Sequence, residues 1–137
     1  MKRAFLLSLT ALLIAVADGL ARWASIPLND LLKKTDLIVV ARLSGVRETT
    51  KKNFDYGSAS LTVTESIRGT VKIGDKLRLE WSNPNDIICP RVEHAPYDGQ
   101  TMIWLLQTST NDAVRADHPD RVIPTSRRGE VDKLLKK

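Results

Sequence analysis

Two segments alternate apolar and polar residues with a period of two, and nothing between them has the length and spacing of a crossover helix. Together these two features restrict the fold more than anything else in the chain. Residues 58–67 set Ala59, Leu61, Val63 and Ile67 on one side and Ser60, Thr62 and Thr64 on the other, the pattern of a strand with one wet face. Residues 76–81 repeat it, with Leu77, Leu79 and Trp81 inward and Lys76, Arg78 and Glu80 outward. Parallel neighbours need a long crossover, usually helical, so strands without one are expected to pair antiparallel. The sequence predicts a mainly β fold, a small antiparallel barrel or curled sheet.

The remaining elements fit around that sheet. Residues 37–43 are apolar on both faces near their start, and residues 100–108 hold the continuous run from Met102 to Leu106; both read as central strands covered on two sides. Gly69 and Gly74 bracket a turn region, and residues 47–55 form a polar, charged connection. Residues 114–116 read as a short edge strand. A short helix is predicted over residues 27–34, with Ser25 and Pro27 at its start, Leu28, Leu31 and Leu32 on one face, and Lys33 and Lys34 in its last turn. It is the expected cover for one face of the sheet. Residues 127–137 carry Val131, Leu134 and Leu135 on one face of a C-terminal helix, weakened by Gly129 in its first turn.

With 137 residues, of which 42% are hydrophobic and 27% charged, the chain has enough apolar content for one folded domain and too much for a disordered one. Lys2 and Arg3 precede an apolar run from Ala4 to Ala17 interrupted only by Ser8 and Thr10, which is the layout of a signal peptide. As a helix the run spans about 21 Å, short of a ~30 Å hydrocarbon core. Cleavage is expected after Ala17 or Ala21, leaving a single β-rich domain over residues 22–137, periplasmic or secreted and without stable membrane insertion. Losing Lys2, Arg3 and Asp18 lowers the net charge from +5 to +4. The single cysteine, Cys89, excludes an intramolecular disulfide, so stability rests on an ordinary core.

The runs from Thr35 to Leu43, from Ile67 to Leu79 and from Ile103 to Leu106 resemble small exported bacterial domains of uncharacterised role. In outline these are similar to OB-type, netrin-like or metalloproteinase-inhibitor-like barrels. The resemblance covers about residues 37 to 108 and implies an OB-like barrel flanked by the two helices. Secreted inhibitors with that barrel carry cysteines at their mature start. This chain has none there, so their inhibitory chemistry is not carried over.

Residues 82–100 join two strands through 19 residues, and structureless connections of that length in compact domains are more often functional. They hold Cys89, Arg91, Glu93, His94 and Tyr97, with Pro84, Pro90 and Pro96 stiffening the path. Arg91, His94, Tyr97 and Cys89 are the expected binding residues. Cys89, Glu93 and His94 also have the residue types of a thiol nucleophile, an orienting carboxylate and a base, and Cys89, His94 and His118 those of a three-ligand metal set. The commoner roles are a packed thiol and a histidine in a surface turn. Phosphate-binding glycine loops, Gly-x-Ser-x-Gly and His-Glu-x-x-His are absent.

Nucleic acid is not an expected partner despite a pI of about 9.6. Trp81 and Trp104 fall on core positions, leaving Trp23, Phe54, Tyr56 and Tyr97 as too few stacking platforms. The cations from Arg127 to Lys137 read as a solvated helix face. The sequence therefore leads to an exported binding or inhibitory module, not an enzyme and without a cofactor, acting through the 82–100 loop on a protein partner in the cell envelope. The alternatives are an envelope metal-binding protein or thiol enzyme centred on Cys89 and His94, and a structural accessory subunit.

Overall fold

The computed structural model of the protein describes residues 22–86 and 90–137; the export segment expected over residues 1–21 lies outside them. Six strands form one sheet: β1 (Leu37–Lys51), β2 (Phe54–Arg68), β3 (Lys76–Pro84), β4 (Thr101–Thr108), β5 (Ala113–Arg115) and β6 (Val122–Ile123). Helix α1 (Leu28–Lys33) precedes them and α2 (Arg128–Leu135) follows. The fold is mainly β with a helix at each end, as the alternation and the two amphipathic segments predict. No helix among the described residues is long and apolar enough to cross a membrane.

Neighbouring strands run β1-β2-β3-β5-β4, and β1 also pairs with β4, closing a ring of five. β6 follows β5 along the same side of β4, opposite Ile103 and Trp104. One pairing departs from the antiparallel expectation, because β5 runs parallel to β3 through Arg78↔Ala113 and Leu79↔Val114. No crossover helix is needed there, since residues 85–100 and β4 itself make the long return. Instead of lying at an edge, β5 is the piece that completes the ring.

Ring closure demands a bent first strand. Between Ser44↔Ser60 and Arg47↔Ser58 the register shifts so that Gly45 and Val46 oppose one residue, and Gly45 has φ +66°. This is a bulge of the kind in which a left-handed glycine bends its strand. The first part of β1 pairs with β4 from Leu37↔Leu106 to Arg42↔Thr101, while the rest pairs only with β2. Residues 47–55 are therefore not a loose connection: β1 and β2 run on through them to a tight turn at Lys52, with φ +56°.

The continuous apolar run of β4 has two cores to fill. Trp104 and Leu106 point into the ring with Val39, Ala41, Leu43, Leu61, Val63 and Leu79. Ile103 and Leu105 point outward onto Leu31 and Leu32 of α1, Ile123 of β6 and Val131 of α2. A six-residue helix has no stability of its own in water; α1 exists because Leu31 and Leu32 are buried, each worth about 1.5–3 kcal/mol by area removed from water.

Its C-terminal carbonyls are held by buried or half-buried cations. Arg121, 5% exposed, donates from Nη1 to Thr35 Oγ1 at 3.1 Å and Leu105 O at 3.2 Å, and from Nη2 to Lys34 O at 3.2 Å. Arg68 Nη1 donates to Leu32 O at 2.8 Å. Burial lowers the Arg121 pKa from its ordinary value, offset in part by Asp117 and Asp36. Arg121→Met leaves these acceptors without their donor, and a loss of about 2–4 kcal/mol is expected in denaturant unfolding. A change under about 0.5 kcal/mol, the size typical of surface substitutions, contradicts the assignment.

Candidate functional site

Of residues 82–100, expected to project as a stiff excursion, 82–84 complete β3 and 91–97 lie across one end of the ring. Their exposure alternates: Arg91 and Glu93 face solvent, Val92 and His94 are buried. The anchor is Asn83, the next inward position of β3 after Leu77, Leu79 and Trp81. Its Nδ2 donates to Val92 O at 2.9 Å while Val92 N donates to its Oδ1 at 2.7 Å. A buried amide side chain thus satisfies both backbone groups of one loop residue, as a neighbouring strand would. Trp23 Nε1 adds a bond to Arg91 O at 2.9 Å.

His94 is a core residue, 1% exposed, and this corrects its place among the expected recognition contacts. Its ring meets Trp81 and Trp104 edge-on at 5.0 and 5.4 Å. Nε2 lies 3.0 Å from Ala116 O and donates to it, which leaves Nδ1 as a buried acceptor with no partner. Trp81 reaches this position because it lies over Gly57; a Cβ there would overlap the indole. Burial pulls the His94 pKa down to about 4, opposed by the bond to Ala116 and by Asp117.

Of the other expected residues, Arg91 is exposed and Tyr97 is half-buried against Trp104 at 6.1 Å. Cys89 lies outside the described residues. Glu93 faces away from His94, so it is not placed to orient that imidazole for a thiol. His118, read from sequence as a surface turn, is 7% exposed. Its Nδ1 accepts from Asp120 N at 3.0 Å and its Nε2 donates to Ala24 O at 2.9 Å. Nε2 thus holds the N-terminal segment while Nδ1 caps the turn Pro119–Arg121, and among the described residues no three metal-binding side chains come together.

What the loop does create is a trough. The ends of β1, β2 and β3 overhang the ring, and residues 91–96 form the facing wall. One half, about 200 Å³, is lined by Glu48, Thr50, Asp55, Trp81, Asn83 and Arg91. The other, about 290 Å³, runs between Glu48 and the stretch from Arg91 to Pro96. Both share Glu48, Asn83 and Arg91. Neither half alone reaches the ~300–1,000 Å³ of a pocket that encloses a small molecule. Arg91 Nη2 donates to Asp55 Oδ2 at 2.7 Å across the trough. Bonds from Thr50, Arg91 and Asn85 hold the Asp55 carboxyl below the usual carboxylate range. At the tip of the overhang the rings of Phe54 and Tyr56, 6.1 Å apart and 41% and 45% exposed, sit beside Lys51 and Lys52, and Tyr56 also borders the first half of the trough.

Sequence reasoning missed Glu48, Asp55 and Asn83. The inward alternation of β3 leads to Asn83, and that of β2 leads back from Ala59 through Gly57 to Asp55; both patterns fade because the overhang has no apolar filling.

The His94 environment gives a pH test. The unfolded imidazole titrates near 6.5 and the folded one near 4, so its stabilising contribution is complete above the unfolded value and disappears as pH falls through that window. The shift corresponds to about 3 kcal/mol. His94→Phe keeps the ring contacts and removes the titration, so the stability difference between wild type and variant is expected to move by about that amount between pH 7 and pH 4. A pH-independent difference in urea unfolding contradicts the burial of a neutral imidazole. The sequence matches no protein-family model, and a search of curated proteins finds no significant match.

Proposed function

We propose that the protein is an exported binding or inhibitory module that engages a protein partner in the cell envelope through residues 91–97 and the trough they border. The observation that carries this reading is the double bond pair between Asn83 and Val92. It fixes Arg91 and Glu93 outward on a wall that is already in place before a partner arrives. A preformed wall loses little conformational entropy on binding. The closed five-stranded ring with a helix at each end supports the resemblance to OB-type and netrin-like domains. The periplasmic or secreted location rests on the N-terminal apolar run alone.

A second reading keeps one specific observation. The unpartnered Nδ1 of His94 is a buried acceptor on a residue five positions along the chain from Cys89, the pair on which a thiol or metal reading rests. Stoichiometric zinc or copper in the purified protein, or rapid alkylation of Cys89 under native conditions, supports that reading over the first.

The leading reading is tested with Arg91→Ala combined with Glu93→Ala. Both side chains face solvent and the Arg91–Asp55 pair is a surface pair, so stability is expected to change by no more than about 1 kcal/mol. Affinity capture from envelope extract, quantified by mass spectrometry, is expected to lose its specific partner at least tenfold. Unchanged capture by a folded variant removes the loop from the recognition surface.

A further inference from the structure

Strand β1 has an open edge. From Leu37 to Arg42 that edge is occupied by β4, and the line continues one step further, with Leu43 N donating to Gln100 O at 3.0 Å and Gly99 N donating to Leu43 O at 2.8 Å. At Gly99, with φ +78°, the chain turns off this line into the short helical turn Ala95–Tyr97. Residues 44–51 of β1 keep β2 on one side and, among the described residues, have no backbone partner on the other. A row of unused amide and carbonyl groups next to a trough is the arrangement that takes up an extended segment as an added strand.

The trough also specifies charge. Glu48 lines both of its halves, and Glu93 stands on the facing wall. Arg91, the cation between them, is already paired with Asp55. Among the described residues neither Glu48 nor Glu93 has an ion-pair partner. A segment laid along β1 presents alternate side chains to the trough, and the side chains that complement it are basic.

We infer that residues 44–51 of β1 accept an extended peptide of the partner as an additional antiparallel strand, with a lysine or arginine of that peptide set between Glu48 and Glu93. This rests on the binding-module reading and names the partner's chemistry: a basic, extended segment, not a folded acidic surface.

The probe is an acetylated, amidated heptapeptide with alternating lysine and valine, titrated into the purified protein and followed by amide hydrogen exchange and NMR shifts. Alternate amides of residues 44–51 are expected to gain at least tenfold protection. The same peptide N-methylated on its alternate amides, or with glutamate in place of lysine, is expected to bind at least tenfold more weakly, as is the wild-type peptide to Glu48→Gln/Glu93→Gln. Binding without protection of these amides overturns strand addition, as does no binding at millimolar peptide. Equal binding of the glutamate peptide overturns the basic occupant. Protection that rises with protein concentration in the absence of peptide assigns the edge to a second copy instead, and also overturns it. The two readings separate on Arg91→Ala: β1 protection that persists unchanged in that variant keeps the added strand and removes the loop wall, whereas an Arg91-dependent partner whose complex leaves β1 amides unprotected keeps the wall and removes the strand.

Discussion

A ring of five strands has an open end, and what closes it here is residues 91–97, from the chain's own connection between β3 and β4. Val92 and His94 go in, held by Asn83 and Ala116 and packed against Trp81 and Trp104. The edge-on contacts of the imidazole between two indoles depend in turn on the missing side chain of Gly57. Without this closure the ring core would meet water through its largest side chains. Leaving the buried Asn83 amide unsatisfied costs about 1–3 kcal/mol, so loop and core are stabilised together.

The same closure determines what faces outward. An extended backbone that turns Val92 and His94 inward must turn Arg91 and Glu93 outward. These two residues then stand opposite the β1–β2–β3 overhang and define the trough. The overhang exists because β1 and β2 extend beyond the point where β4 leaves β1 at Gly99. Plug, wall and open edge are three consequences of one chain path.

Much of this was legible in the sequence. Period-two alternation located β2 and β3, and the unbroken apolar run from Met102 to Leu106 correctly indicated a strand covered on both faces. The structure supplies the reason, a ring core on one side and α1, α2 and β6 on the other. Residues 47–55 were illegible as strand because both faces of the hairpin tip are wet, and a strand with no packed face leaves no hydrophobic period. The parallel β3–β5 contact was hidden by its brevity, two residue pairs. Residues 91–94 do carry a legible alternation, charged, apolar, charged, aromatic, but histidine and the flanking prolines read more readily as a loop than as a plug. The alternation that turns His94 inward was therefore not read, and the histidine was expected at the surface.

The central claim is that residues 91–94 belong to the folded ring and do not hang from it. Native-state hydrogen exchange of the Val92 amide tests it most directly, because that proton is donated to Asn83 Oδ1 and nothing else in a projecting loop would protect it. The account predicts that Val92 exchanges only with global unfolding, at the same free energy as the β4 amides. Exchange at rates typical of an exposed loop, with β4 still protected, would contradict it.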